Sequence, residues 1–483
     1  MQNWLQKRVA LTPTRTAVRF NGISLSFQEL NTAVLSLAGK LARVLDDNPR
    51  VAVLTSNTLL GYEMILALQQ LGREIVLLNY RLAPAELAFQ IEDAEITQVV
   101  QADTYTGQLD VVQQVTFDYV QSQAPQMVEP VAEFALDQVT TIMYTSGTTG
   151  KPKGVEQTYG NHFYSAVGSM LNLGLTASDT WVAAVPIFHI SGFSIMMRSL
   201  IYGMTVQLYE RFDATVINQD IMAGDITTIS VVPTMLKDLL EALPSGQCYP
   251  ETFRTMLLGG GPADLATLRH AQSVNVEVVQ SYGMTETASQ IIALDPTDAI
   301  SKMGSVGKPL FPVELKLAHA NENGVGRVQV KSPTLTVGYV RQPAKFADAF
   351  EDGWFDTGDM GYLDDDGYLY LVGREGDMIS SGGENIFPDE VEAMYREMPE
   401  IKEIGVVGVP DEKWGAVPVA VVELVDGADV SATDLLAYGR EHIAHYKVPK
   451  AFYRLSKPWP RTASGKLQRY QLQQFIVATE KIN

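Results

Sequence analysis

The chain has 483 residues, 46% hydrophobic, 19% charged and 9% aromatic, a balance that supports a large packed core and excludes a disordered or fibrous protein. Asp and Glu number 56 against 36 Lys and Arg, a formal charge of -20 that argues against nucleic acid or an anionic membrane as partner and, read alone, against anionic substrates. The one cysteine, Cys248, and six histidines exclude an internal disulfide and an all-cysteine zinc site, which fits a reducing, cytoplasmic home.

The first twenty residues, MQNWLQKRVALTPTRTAVRF, are interrupted by Lys7, Arg8 and Pro13 and carry no export signal. Phe27, Leu30, Val34, Leu37, Leu41 and Val44 recur at helical spacing behind Ser26 and Glu29, a capping box. An apolar run at Val51 to Leu54, a helical stretch from Tyr62 to Leu71, a strand at Ile75 to Leu78 and a helix from Ala85 follow. Strand-like runs at Thr141 to Tyr144, Trp181 to Val185, Thr227 to Val232, Thr255 to Leu258 and Val276 to Gln280 continue the alternation, which is the pattern of α/β units on mainly parallel sheets. The Gln-rich segment from Gln101 to Gln126 reads as a connection between two lobes. From about Gly304 short strands and turns predict a β-rich subdomain, and after Gly373 a smaller α/β pattern resumes with a helix at Pro388 to Met398 and strands near Ile404 and Val417. The boundary falls at Arg374 to Asp377. The expected fold is α/β: a large domain over 1–373 of mainly parallel sheets with helices, its β-rich part about 304–373, and a smaller α+β domain over 374–483. No apolar run approaches the length of about 18 residues that a spanning helix needs.

The chemically richest segment, Thr145-Ser-Gly-Thr-Thr-Gly-Lys-Pro-Lys-Gly154, directly follows the strand-like TTIMY. Its glycines and hydroxyls let backbone N–H groups close around phosphate oxygens, with Lys151 and Lys153 adding charge. It is not a Walker A loop, because two residues separate Gly147 from Gly150 and Pro152 follows Lys151. Gly259-Gly-Gly-Pro-Ala-Asp264 approaches a dinucleotide fingerprint but places Asp264 at the third glycine position.

TSGTTGKPKG, with PIFHISGF at 186–193, QSYGMTET at 280–287, TGD at 357–359, GREGDMISSGGENIFPDEVE at 373–392 and PRTASGKLQR at 460–469, resembles the adenylate-forming superfamily of acyl-CoA synthetases, luciferases and adenylation domains, from Trp4 to Leu472. That resemblance implies a carboxylic acid activated as an acyl-adenylate, with ATP, Mg2+ and coenzyme A as cofactor and co-substrates, and a C-terminal domain that swivels. Thr145, Ser146, Gly147, Thr148, Thr149 and Lys153 would cradle phosphate, and Gly259, Gly260 and Gly261 would wall the adenine. Ser281, Tyr282 and Gly283 would lie along it, Tyr282 offering a flat face, while Thr285 and Glu286 stand beside the phosphates with Glu286 on the metal. Asp359, in a Thr-Gly-Asp turn where an aspartate alone often closes an Asx turn, would bind the ribose diol with Arg374. Lys466 would stabilise charge during adenylation and then withdraw about a hinge at Gly376 and Asp377, admitting a thiol past Ser381, Gly382 and Gly383. The superfamily generally carries Asp or Lys where this chain has Gly376.

Arg198 lies in the apolar run SGFSIMMRSLIYG and needs an anionic partner or solvent, so it is either a substrate-carboxylate receptor or a core-edge residue paired with a structural carboxylate. His189 reads either as an aromatic gate to the acyl pocket or as a satisfied core histidine. Within the superfamily, GNHFYSAVGSMLNLG, PIFHISG, QSYGMTETASQI and GSVGKPLFPVELK most resemble the 2-succinylbenzoate–CoA ligases of menaquinone biosynthesis, which act on a dicarboxylate. This implies acyl contacts from His189, Ser191, Arg198, Ser305 and Gly307. Other readings are a different aromatic or fatty acyl-CoA ligase, an adenylation enzyme loading a carrier protein, and an oxidative luciferase. Oligomeric state stays open, a homo-oligomer included. The charge also redistributes: from Arg440 onward nine basic residues face only Glu441 and Glu480, so positive charge concentrates on the terminal segment and the phosphate loop, and the exclusion of anionic substrates lapses.

Overall fold

A computed structural model describes the chain apart from residues 110–111, 146–151, 382–383, 412, 456, 462–466, 477–479 and 483. Packing divides it into two compact units, Met1–Leu315 with Val330–Phe355, and Lys316–Gln329 with Asp356–Asn483. The β-rich region expected over 304–373 is thus shared between them.

In the first unit one sheet carries the parallel strands Glu277–Met284, Thr255–Leu258, Thr228–Val231, Thr180–Ala183, Thr205–Leu208 and Thr16–Phe20, in that order. Antiparallel Ser289–Leu294 and then Ser305–Pro309 extend it beyond Glu277–Met284. A second, seven-stranded sheet runs in the order Gly338–Tyr339, Lys153–Thr158, Val139–Thr145, Glu74–Leu78, Arg50–Leu54, Gln98–Gln101, Gln113–Thr116. The helix Phe27–Val44 begins with the expected reciprocal cap: Glu29 N–H donates to Ser26 Oγ at 3.2 Å, and Ser26 N–H to Glu29 Oε2 at 2.8 Å. It buries Phe27, Leu30, Val34, Leu37 and Leu41, the face the spacing predicts.

The Gln-rich segment is not a simple connection. It supplies the edge strand Gln113–Thr116 and the helix Phe117–Ser122, because Val115, Phe117 and Val120 bury their side chains while the glutamines bond one another, Gln98 to Gln113 at 3.1 Å and Gln101 to Gln114 at 2.8 Å.

In the second unit a six-stranded sheet contains Glu384–Ile386, Ile379–Ser381, Gly415–Leu424, Phe452–Arg454 and Glu480–Lys481, with Ile401–Asp411 paired to Gly415–Leu424. Its core joins Ile386, Val391, Tyr395, Ile404 and Phe452. The strand Trp354–Leu363 pairs antiparallel with Leu369–Arg374. Among the described residues no helix is long and apolar enough to cross a membrane.

Gly307 shows why one glycine cannot be replaced. Its φ is +100°, and a Cβ there would sit 1.9 Å from the Ala293 carbonyl oxygen. Gly307→Ala is expected to cost about 3 kcal/mol or more through backbone strain and overpacking, read as a lower urea midpoint at unchanged slope.

Candidate active site

The strands Val139–Thr145 and Lys153–Thr158 are antiparallel partners, with Thr145 opposite Lys153, so the phosphate-loop sequence joins the ends of a hairpin. Ser146, Gly147, Thr148 and Thr149 lie outside the described residues, as do Gly382, Gly383 and Lys466. The Thr145 hydroxyl is buried and has no hydrogen-bond partner among the described residues, which leaves it available to a ligand oxygen.

Lys153 holds Glu286. Its Nζ lies 2.6 Å from Glu286 Oε1, donates to the Tyr339 hydroxyl at 2.8 Å and sits 4.1 Å from the centre of the Tyr339 ring. Burial, together with the Glu286 charge, pushes the Tyr339 phenol well above its ordinary value. Glu286 itself is only 6% exposed, on a short 3-10 turn, Thr285–Thr287, that follows Glu277–Met284. The Thr285 carbonyl accepts from Gln157 Nε2 at 2.6 Å, and the Glu286 carbonyl from Thr336 N–H at 2.7 Å. No cluster of three or more ligating side chains occurs among the described residues. One carboxylate beside a hydroxyl residue fits magnesium that arrives on ATP and keeps phosphate and water oxygens in its shell.

The glycine segment is tied to the same strand. Ser281 Oγ donates to the Leu258 carbonyl at 2.9 Å, and Ala263 N–H donates to Gln280 Oε1 at 3.2 Å. Gly259 lies beside Ser281, where a Cβ would be 3.7 Å from Ser281 Oγ, while Gly260 and Gly261 lie against Val232 and Pro233. Gly283 is packed so closely that a Cβ would meet the Ser289 carbonyl at 2.1 Å.

His189 caps the helix Ile190–Tyr202 without a side-chain capping bond. Its Nε2 is buried and unpartnered, so it is not a satisfied core histidine, and its ring lies 4.5 Å from that of Phe188. Ser191 is exposed at the first turn. Arg198, seven residues on and so on the same helical face, is 1% exposed. Its Nη2 reaches Ser289 Oγ at 3.3 Å, its guanidinium lies 5.0 Å from the Trp181 ring centre, and its Nε has no partner. It forms no ion pair with any described residue, so the reading of Arg198 as paired with a structural carboxylate fails. Burial alone pulls its proton affinity below the ordinary arginine value.

Ser305 is 3% exposed, and its Oγ accepts from Gly307 N–H at 2.9 Å. An open cavity of the first unit, about 550 Å³ and lined by residues that include Pro312, Lys331, Thr336, Val337, Phe346 and Phe350, includes none of the expected acyl residues.

In the second unit Asp359 stands directly across from Arg374 on paired strands, with Arg374 Nε 3.2 Å from Asp359 Oδ1. Asp356 makes an Asx contact in the same segment, its Oδ1 accepting from Gly358 N–H at 2.8 Å, and Asp359 itself is buried beside Arg374. Gly376 lies on the 3-10 turn Glu375–Asp377 with open space where a Cβ would be, and Asp377 Oδ2 is 3.2 Å from Arg469 Nη1. Ser381 ends the strand Ile379–Ser381.

Tyr339, Gln157, His162, Trp181 and Ser289 were missed as contributors. Two lay inside segments that carried the resemblance, His162 in GNHFYSAVGSMLNLG and Ser289 in QSYGMTETASQI.

The family model described as AMP-binding enzyme matches residues 5–340, and the one described as AMP-binding enzyme C-terminal domain matches 390–466. The chain belongs to the AMP-binding enzyme family. Among its relatives, the 2-succinylbenzoate–CoA ligase of Listeria monocytogenes serotype 4b is 47% identical over 98% of this chain and 99% of that protein. The ligase of the same name from Geobacillus kaustophilus is 46% identical over 100% and 99%. The structure of Bacillus subtilis o-succinylbenzoate CoA synthetase with its acyl-adenylate intermediate superposes with a TM-score of 0.92 at 42% identity, covering 98% of each chain. The same enzyme with ATP and a magnesium ion gives 0.92 at 41%, covering 98% of this chain and 99% of that one. The α/β architecture of this AMP-binding enzyme is therefore that of whole-length ligases.

Two histidines of the family fold carry a pH signature. Burial, aided by the Arg198 charge, lowers His162 to about 3, and burial with the Arg81 charge lowers His189 to about 4. The unfolded chain takes up their protons near pH 6.5 while the folded protein does not, so stability falls as pH drops from about 6.5 toward 4, by up to about 1.4 kcal/mol per pH unit for each. Urea unfolding across that range should show a slope that flattens in His162→Gln and in His189→Gln.

Proposed function

We infer that this chain is an AMP-forming acid–thiol ligase that joins 2-succinylbenzoate to coenzyme A, a step of menaquinone biosynthesis. A carboxylate oxygen of the acid attacks the α-phosphorus of ATP, the bond from that phosphorus to the bridging oxygen breaks, and pyrophosphate leaves. The sulfur of coenzyme A then attacks the acyl carbon of the adenylate, the bond to AMP breaks, and the thiol proton passes to solvent. Cys248, exposed and unpaired, takes no part.

The site assignments follow from charge placement. Lys153 and the Thr145 hydroxyl receive phosphate oxygens, and Tyr282 with Gly259 to Gly261 receives adenine. Asp359, oriented by Arg374, accepts from the ribose hydroxyls. Glu286 and Thr285 would hold magnesium, which would neutralise phosphate charge, and Lys153, paired with Glu286 in the free protein, would turn its ammonium to the phosphates. Lys466 stabilises the charge developing between carboxylate and α-phosphate. Gly376 and Asp377 form the pivot, and Ser381, Gly382 and Gly383 the thiol path, a reading supported by the unobstructed space around Gly376. A cytoplasmic location is part of the proposal, supported by the lone free cysteine.

The observation that carries the acyl specificity is Arg198, a buried guanidinium with no carboxylate beside it. The ring carboxylate that does not react supplies what is missing, with Ser191, His189, Ser305 and Gly307 around the rest of the acid.

Pyrophosphate release should be fastest with 2-succinylbenzoate in a panel that includes benzoate, a medium-chain fatty acid and 4-oxo-4-phenylbutanoate, which lacks only the ring carboxylate. A preference for the monocarboxylates would contradict the assignment. Arg198→Met should lose about 10²-fold in kcat/KM for 2-succinylbenzoate, mainly through KM, while thermal stability holds or rises because an uncompensated buried charge is gone. Lys466→Ala should lose about 10²- to 10³-fold in ATP–pyrophosphate exchange yet retain thioester formation from supplied acyl-adenylate.

A further inference from the structure

Three side chains, all buried to within a few per cent, form one hydrogen-bonded chain through the first unit. Gln157 Nε2 donates to the Thr285 carbonyl at 2.6 Å, which turns its Oε1 toward Thr141. The Thr141 hydroxyl donates to that oxygen at 3.1 Å and therefore accepts from His162 Nε2–H at 2.8 Å. His162 lies close enough to Arg198 for the guanidinium charge to act on it. The chain thus runs from beside the acyl pocket to the turn that carries Thr285 and Glu286.

The strand Lys153–Thr158 grips that turn twice. Residues four apart on a strand share a face, so Lys153 meets the Glu286 carboxylate while Gln157 meets the carbonyl one residue earlier, both at 2.6 Å. The Lys153 contact is one that substrate phosphates must take over. The Gln157 contact involves no charge and touches nothing that reacts, so it can persist when the nucleotide binds. Besides the Ala288 N–H that closes the 3-10 turn at 3.1 Å, Gln157 is what holds the Thr285 carbonyl.

We propose that Gln157 is a positioning residue for adenylation: its carboxamide, braced through Thr141 and His162, fixes the Thr285–Glu286 turn once Lys153 has let go. The inference rests on the ligase reading above. Misplacing a catalytic group by about 1 Å can cost on the order of 10²-fold in rate, so a single carboxamide suffices for a measurable effect.

Gln157→Met keeps the volume and removes both bonds. It should lower kcat for 2-succinylbenzoate-dependent ATP–pyrophosphate exchange about tenfold, leave KM for the acid within twofold, and leave thioester formation from supplied acyl-adenylate within threefold. Gln157→Glu should lose more than Met, because it keeps the oxygen that accepts from Thr141 but sets a carboxylate oxygen against the Thr285 carbonyl. Equal loss in both half-reactions, or unchanged exchange, in folded protein would overturn the proposal. Should Gln157→Met fail to fold, Thr141→Val decides by the same criteria: a loss confined to exchange supports the role, and an equal loss or none overturns it. Wild-type protein that shows no 2-succinylbenzoate-dependent exchange would overturn the ligase reading instead.

Discussion

A guanidinium in an apolar interior must find an anion, lose its proton or impose a cost of several kcal/mol, and Arg198, 1% exposed, has no anionic partner among the described residues. It rests on the Trp181 ring and one serine hydroxyl, Ser289. Ser289 follows the Thr285–Thr287 turn and has a φ of +112°, a conformation non-glycine residues rarely adopt. Its neighbours lock it there: Ser165 Oγ donates to the Ala288 carbonyl at 2.6 Å, and Thr287 Oγ1 to the Ser289 carbonyl at 2.8 Å. The strain, the cation without an ion pair among the described residues and the unpartnered Nδ1 of His162 therefore fall in one region, beside the Thr285–Thr287 turn. On the proposal that Arg198 receives the ring carboxylate, the arriving carboxylate would relieve the electrostatic part of that cost.

The same reasoning explains how an acidic protein handles three anionic substrates. Net charge of -20 is a property of the whole surface, whereas the substrates meet individual cations in low-dielectric places, where each counts for far more. Lys153 is held ready by Glu286 and Tyr339 rather than left to solvent.

The fold was legible where the pattern was local and repeated. The capped helix Phe27–Val44 and the succession of short β-branched strands followed from spacing alone, since burial of one face dictates it. Motif order located Lys153, Glu286, Asp359 and Arg374, and Arg198 stood out because arginine is costly in an apolar run. Contacts made across long sequence separation were not legible. Tyr339 lies 186 residues from Lys153 on a two-residue strand, and nothing near it marks it. Nothing in the sequence near Gln157 points to Thr285, 128 residues away, whose carbonyl its amide meets. The Gln101 to Gln126 segment misled because its composition is polar while its buried apolar side chains, Leu109, Val115, Phe117 and Val120, are spaced too irregularly to announce a strand and a helix.

The central claim is that Arg198 is unpaired because its anion is the substrate. A crystal structure of the protein with 2-succinylbenzoyl-adenylate tests it most directly. The account predicts a guanidinium nitrogen of Arg198 at about 2.7–2.9 Å from an oxygen of the ring carboxylate, the range of a charge-assisted hydrogen bond. A ring carboxylate bound by other residues, with Arg198 still lying on Trp181 and Ser289, would contradict it.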